Sequence, residues 1–102
     1  MLLDLNKNNF DLFINKNPLV LIEFYAPWCQ NCLQQEFILE EILEEHFDQI
    51  KIYKINVESE SEISDKYQVF NLPTLILFEK GIVSKTLINL NSKNKLMEWL
   101  KI

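Results

Sequence analysis

The sequence contains no arginine, one glycine, three prolines and two cysteines among its 102 residues. Ten lysines stand against fifteen aspartates and glutamates, which leaves a net charge of −5. Because nucleic-acid-binding proteins usually carry a basic face, this balance argues against that class. Two cysteines are too few for a disulfide-stapled scaffold, so the fold must depend on a hydrophobic core.

Long apolar runs are also missing. A membrane-spanning helix needs about 20 apolar residues, whereas the longest run here covers residues 19–22 and ends at Glu23. The first residues lack the basic start and apolar core of a signal peptide. We therefore expect a cytoplasmic protein that does not enter a membrane. We also expect a single domain over residues 1–102, because this length is near the commonest domain size. The expected state is a monomer.

What is present is an alternation of apolar runs with amphipathic stretches, which is typical of an α/β protein. After a short first strand, the pattern predicts helix 6–14, strand 19–25, helix 29–47, strand 50–57, helix 61–67, strand 74–78, strand 82–88 and a last helix capped by Asn91 or Ser92. Gly81, the only glycine, is expected to supply the positive φ of the final hairpin. A right-handed crossover followed by this hairpin predicts a central mixed sheet of four to five strands, with helices on both faces.

The helix predicted over residues 29–47 divides into two faces. An apolar stripe is expected to face the core through Ile38, Leu39, Ile42, Leu43 and His46. Six acids are expected to face solvent: Glu36, Glu40, Glu41, Glu44, Glu45 and Asp48.

The segment Cys29-Gln30-Asn31-Cys32 lies where a buried strand leads into this helix. Free N–H groups and the helix dipole stabilise an anion there, so Cys29 is expected to have a lowered pKa and to attack as a thiolate. Cys32, one turn along, lies within reach and can resolve a mixed disulfide. Two inert buried thiols are the alternative. A zinc site would need four ligands, and only a distant His46 and carboxylates could join the cysteines, so we expect no metal and no cofactor.

Three further residues stand out. Glu23 interrupts an apolar strand, and burial would raise its pKa, which suits proton transfer to or from Cys32. The alternative is a glutamate at a sheet end that reaches solvent. Lys54, in the adjacent predicted strand, either pairs with Glu23 or is a surface lysine. Pro73 is at a strand start, where a missing N–H donor is tolerated, but spacing alone does not decide whether its peptide bond is cis.

Four segments together resemble the thioredoxin superfamily. They are residues 24–32 (Phe-Tyr-Ala-Pro-Trp-Cys-Gln-Asn-Cys), residues 54–57 (Lys-Ile-Asn-Val), residues 72–75 (Leu-Pro-Thr-Leu), and Phe78 with Gly81. They stand in the family's order and spacing over nearly the whole chain. The run before Cys29 is most similar to protein disulfide isomerase domains, while the length is similar to a free-standing thioredoxin.

The resemblance implies a thioredoxin fold and a dithiol–disulfide cycle that reduces protein disulfides. It implies Cys29 as nucleophile, Cys32 as resolving thiol, Glu23 as buried proton acceptor, Lys54 as the neighbour of Glu23 and Pro73 as a cis-proline facing the disulfide. A partner's extended segment would dock along Trp28, Leu72 and Ile88. The implied partners are protein disulfides and an electron donor of the thioredoxin-reductase type.

Departures from the family pattern keep other functions open. Gln30-Asn31 replaces the Gly-Pro of thioredoxins and the Gly-His of isomerases, so the reduction potential is open. Leu33 replaces the usual lysine, and Asn89 stands where a glycine lets a partner approach. The second hypothesis is a thioredoxin-like binding module with weak redox activity. The third is a metal or iron–sulfur site bridged across a dimer.

Overall fold

The computed structural model describes all residues, 1–102, and contains every predicted element in the predicted order. The elements are β1 (Leu3–Asp4), α1 (Phe10–Lys16), β2 (Leu19–Tyr25), α2 (Gln30–Glu45), β3 (Lys51–Asn56), α3 (Ser61–Lys66), β4 (Thr74–Glu79), β5 (Ile82–Ile88) and α4 (Lys93–Leu100). No helix has the length and apolar character that crossing a membrane requires.

Five strands form one mixed sheet in the order β1-β3-β2-β4-β5. Strand β3 pairs in parallel with both β1 and β2, while β4 runs antiparallel to β2 and β5 antiparallel to β4. The predicted α/β class and mixed sheet are therefore confirmed, with the upper of the two predicted strand numbers. Strand β2, which leads into the cysteine segment, lies at the centre.

The pleat of β2 decides which face of the sheet receives each side chain. Successive side chains of a strand point to opposite faces. Val20, Ile22 and Phe24 belong to the hydrophobic cluster that includes Phe10 and Ile14 of α1. Leu21 belongs to the other cluster, with Leu39, Ile42, Leu96 and Leu100 of α2 and α4. Glu23 alternates with Leu21, so its side chain lies on the α2 side.

Helix α1 begins at Phe10, later than the predicted start at residue 6. The side chain of Asn9 accepts a hydrogen bond from the Asn6 N–H, and the side chain of Asn6 accepts one from the Asn8 N–H, both at 2.8 Å. Such local side-chain bonds hold the backbone in a turn and compete with a helix. The helix ends at Lys16, one residue before the Asn17-Pro18 pair that was expected to break it.

The hairpin between β4 and β5 turns on Lys80 and Gly81, whose φ angles are 53° and 79°. Two positive φ values in a row match the twist of a two-residue hairpin, which confirms the expected use of Gly81. A Cβ atom on Gly81 would collide with the side-chain oxygen of Asn15. The backbone conformation therefore favours glycine here, and a larger residue would also force the exposed Asn15 side chain to move.

Candidate active site

The two cysteines form a disulfide at the start of α2, with their Cα atoms 5.2 Å apart. Cys29 is the N-cap residue, and its sulfur accepts a hydrogen bond from the Cys32 backbone N–H at 3.1 Å. Cys29 is partly exposed, whereas Cys32 is only 2% exposed. The Cys29 sulfur therefore lies at the positive end of the helix dipole and is also the more accessible of the two sulfurs.

A cleft of about 160 Å³ opens beside the disulfide. Its walls include both cysteines, and also Tyr25, Glu36 and Lys54. The redox pair therefore shares one small space with a carboxylate and an ammonium group.

Glu23 lies in the interior, opposite Lys54 in the β2–β3 register, and Lys54 lines this cleft. Its side chain is fully buried, and neither carboxylate oxygen has a protein hydrogen-bond partner. Burial raises the pKa of Glu23 to about 8, the negative charge of Glu36 adds to this rise, and the positive charge of Lys54 opposes it. The alternative of a glutamate that reaches solvent is wrong.

Lys54 is paired, but not with the residue that was expected. Its Nζ atom lies 3.1 Å from each carboxylate oxygen of Glu36 and 4.0 Å from Asp4. It also sits 4.9 Å from the centre of the Tyr25 ring. Glu23 and Lys54 are register partners on β2 and β3, yet they form no ion pair. Both hypotheses for Lys54, a pair with Glu23 and a surface lysine, are therefore wrong.

Glu36 was expected on the solvent face of α2, and this expectation is also wrong, because Glu36 is 8% exposed. The spacing of residues along the helix did indicate this burial. Glu36 follows Cys32 by four residues and precedes Leu39 by three, which places all three on one face of a helix. Gln35, also fully buried, exchanges hydrogen bonds with the backbone of Asn91 and so joins α2 to the segment before α4.

The loop before β4 contains Leu72 and Pro73, two of the predicted site residues. The Leu72–Pro73 peptide bond is cis, and the Pro73 carbonyl accepts a hydrogen bond from the Asn89 N–H at 2.9 Å. Leu72 is half-buried, and Ile88 is exposed on β5 opposite Thr74. Asn89 adopts a φ of 69°, in the left-handed region that asparagine tolerates better than most residues.

Two exposed aromatic residues add apolar surface near these segments. The Trp28 indole N–H donates to the Glu58 carboxylate at 2.6 Å, while the residue stays 68% exposed. Phe70 is 84% exposed in the loop two residues before Leu72. Phe70 was not predicted as part of the site, and no periodic pattern marks it, since it lies between elements.

Comparison with known proteins gives consistent matches. The family model named Thioredoxin matches residues 1–102. A thioredoxin from Rickettsia bellii is 37% identical over 81 residues, which are 79% of this chain and 77% of that protein. A thioredoxin from Bacillus subtilis is 39% identical over 79 residues, 78% and 76% of the two chains. The structure of a mutant thioredoxin from Halobacterium salinarum superposes with a TM-score of 0.90 at 27% identity, covering 97% of this chain and 87% of the other.

Proposed function

Because the chain belongs to the thioredoxin family and is a thiol-disulfide oxidoreductase, we propose that it works as a reductant of protein disulfides, with Cys29 as nucleophile and Cys32 as resolving thiol. The observation that carries this proposal is the asymmetry of the two sulfurs. A partly exposed sulfur caps the helix, and a nearly inaccessible one lies a turn behind it. The first can meet a protein substrate, and the second can meet only the first.

The reaction then proceeds in two exchanges. The Cys29 thiolate attacks one sulfur of a substrate disulfide and forms a mixed disulfide, and the other substrate sulfur leaves as a thiolate. Cys32 next attacks the Cys29 sulfur, which releases the remaining substrate sulfur and closes the Cys29–Cys32 bond. The substrate disulfide gains two electrons, and the cysteine pair loses two.

Glu23 is proposed as the group that accepts the Cys32 proton when Cys32 attacks. A carboxyl with a pKa of about 8 exchanges protons near neutral pH, where a general acid or base is most effective. Lys54 is proposed to act on this exchange through its positive charge, which opposes the rise in the Glu23 pKa.

The partner's extended segment is proposed to dock along Trp28, Leu72 and Ile88, near Pro73. The exposure of Trp28 and Ile88 supports this site. We further propose a thioredoxin-reductase-type dithiol donor and a cytoplasmic location, where thiols are kept reduced.

Reduction of insulin by dithiothreitol, followed by turbidity, tests the catalytic cycle. The wild-type protein is expected to accelerate precipitation, and Cys29→Ser to abolish the acceleration. Cys32→Ser is expected to accumulate a mixed disulfide with the substrate, visible by non-reducing electrophoresis, because it lacks the resolving thiol. A wild-type protein without turnover, although both thiols are titrated as free, would contradict the proposal.

The direction of electron flow has its own measurement. Equilibration of the Cys29–Cys32 pair with glutathione gives the reduction potential. A value near the roughly −270 mV of thioredoxin supports a reductant, and one near the roughly −120 mV of the oxidant DsbA contradicts it.

The binding-module hypothesis is kept because Gln30-Asn31 and Asn89 depart from the family pattern at the site. It predicts unchanged partner binding by a variant with both cysteines replaced by serine. Loss of binding in that variant would exclude it.

A further inference from the structure

Glu36 occupies a position that the reaction described above does not use. Its carboxylate lies in the wall of the cleft that also holds both cysteines. It accepts hydrogen bonds from Lys54 at 3.1 Å on each oxygen, and the Leu2 backbone N–H donates to one of these oxygens at 3.3 Å. Both oxygens of Glu36 are therefore satisfied, in contrast to those of Glu23.

The balance of charge around Glu23 explains this contrast. Two buried acids, Glu23 and Glu36, share one buried cation, Lys54. In a poorly solvated interior, one lysine compensates one carboxylate well and a second one poorly. Lys54 bonds to Glu36, so Glu23 is the acid left without a partner.

We propose that Glu36 is a positioning residue for the proton step at Cys32: by holding Lys54 in an ion pair, it withholds the lysine's charge from Glu23 and so sets the pH at which Glu23 gains and loses its proton. This proposal rests on the proton-transfer function proposed for Glu23. Glu36 itself contacts neither substrate nor sulfur in the step.

Glu23 must accept a proton when the disulfide closes and return it when the disulfide opens. When a mixed disulfide is resolved, Cys32 attacks Cys29, the substrate leaves with the electron pair of the broken bond, and the Cys32 proton passes to the Glu23 carboxylate. When a dithiol donor reopens the disulfide, its thiolate attacks Cys29, and Cys32 leaves with the electron pair and takes the proton back from Glu23. The second donor thiol then releases Cys29 and leaves the donor oxidised. A Glu23 paired with Lys54 would stay ionised and would have no proton to return.

The other groups facing Glu23 do not replace Glu36 in this function. Strand β4 places only the apolar Leu75 opposite Glu23. Glu40, one turn further along α2, is paired with the N-terminal amino group of Met1 and influences Glu23 less than Glu36 does. The remaining charged or titratable neighbours act through Lys54 or belong to the reaction: Asp4 on β1, Tyr25 at the end of β2, and Cys32.

The test is the titration of Glu23 in Glu36→Gln, followed by carboxyl carbon NMR on the full-length oxidised protein. Glutamine keeps the shape of the side chain and an acceptor for Leu2. It removes one negative charge and frees Lys54 to approach Glu23. Because an opposite charge at close range lowers the pKa of an acid by about 1–3 units, the midpoint is expected to fall by about that amount. Lys54→Met is expected to move it upward.

Glu41→Gln is the matched control. It removes the same charge from the exposed face of α2, where Glu41 pairs with Lys93, and it should leave the Glu23 midpoint in place. An unchanged midpoint in Glu36→Gln, with a folded protein, overturns the proposal. If Glu36→Gln fails to fold, Glu36→Met is titrated in its place, and an unchanged midpoint there overturns the proposal equally.

A reaction readout separates this proposal from the one on which it rests. The rate at which dithiothreitol opens the disulfide is measured against pH for the wild type and Glu36→Gln. A profile that shifts downward with the NMR midpoint supports the positioning role. A profile that stays in place although the NMR midpoint moves overturns the proton function of Glu23, and this proposal with it. The cysteine cycle is tested separately by the insulin assay.

Discussion

Glu23 is a buried acid whose ionised form is poorly accommodated by the fold. The pKa of Glu23 is raised from 4.5 to about 8 by burial. Between those two values the folded protein holds one proton that the unfolded chain has released. The contribution of Glu23 to stability is therefore most favourable below pH 4.5, falls as the pH rises, and levels off above pH 8.

From this we expect the oxidised protein to be less stable at pH 8 than at pH 5, by at most about 4 kcal/mol, because one proton over three pH units contributes no more than that. Glu23→Gln has no titrating group at this position and should show a flatter dependence. Urea unfolding of both proteins at the two pH values gives the difference directly, and any contribution shared by the two proteins cancels in the comparison. If the free energy of unfolding changes equally with pH in the two proteins, Glu23 is not the group responsible.

At the same scale, the sequence predicted some site residues and missed others for a physical reason. The burial of Glu23 followed from the apolar strand around it, and the helix cap at Cys29 from the strand-to-helix junction. The Glu36–Lys54 pair was missed because Glu36 is one of a run of acids that were assigned to solvent together. Which acid a long lysine side chain reaches depends on its side-chain conformation, and no sequence spacing decides that.

At the scale of elements, hydrophobic periodicity was enough to predict all nine helices and strands. The boundaries of β2 and β5 agree with the prediction, because an apolar run and a hairpin turn mark their ends. The start of α1 was wrong because the side chains of Asn6 and Asn9 bond locally. Periodicity indicates which face of a segment is apolar and is insensitive to such local side-chain bonds.

The β4–β5 hairpin offers a prediction at this scale. Gly81→Ala is expected to destabilise the protein by at least about 1 kcal/mol, since alanine is strained at a positive φ and its Cβ meets Asn15. Lys80→Gly, at the neighbouring position with a φ of 53°, relieves a strained residue and is the matched control. Thermal unfolding measures the stability of the two variants. A Gly81→Ala protein as stable as the Lys80→Gly protein would refute the assignment of this turn.

At the scale of the whole molecule, the order of the strands was beyond what spacing could decide. The crossover rule predicted parallel pairing around α2, and the hairpin predicted antiparallel pairing at the end, but neither says that β3 lies between β1 and β2. These two rules predicted a mixed sheet with helices on both faces, and the resemblance to a known family added the thioredoxin fold. Long-range pairing of this kind depends on how all the elements bury their apolar faces together.

The two hydrophobic clusters on opposite faces of the sheet share its strands, and this sharing predicts how the protein unfolds. Strand β2 gives Leu21 to one cluster and Val20 and Ile22 to the other, so neither face can lose its core while the other stays intact. We therefore expect one cooperative transition, as is usual for single domains of this size.

Leu39→Ala tests that coupling from the α2 face, where Leu39 is fully buried. The substitution is expected to cost about 2–5 kcal/mol, whereas Leu12→Ala, at an exposed leucine of α1, should cost less than about 0.5 kcal/mol. In a Trp28→Phe background, tryptophan fluorescence follows Trp99 on the α4 side, and the NMR methyl signals of Ile14 follow the α1 side. Coincident midpoints in urea for both probes are expected in Leu39→Ala. Separate midpoints would mean that the sheet does not couple its two faces.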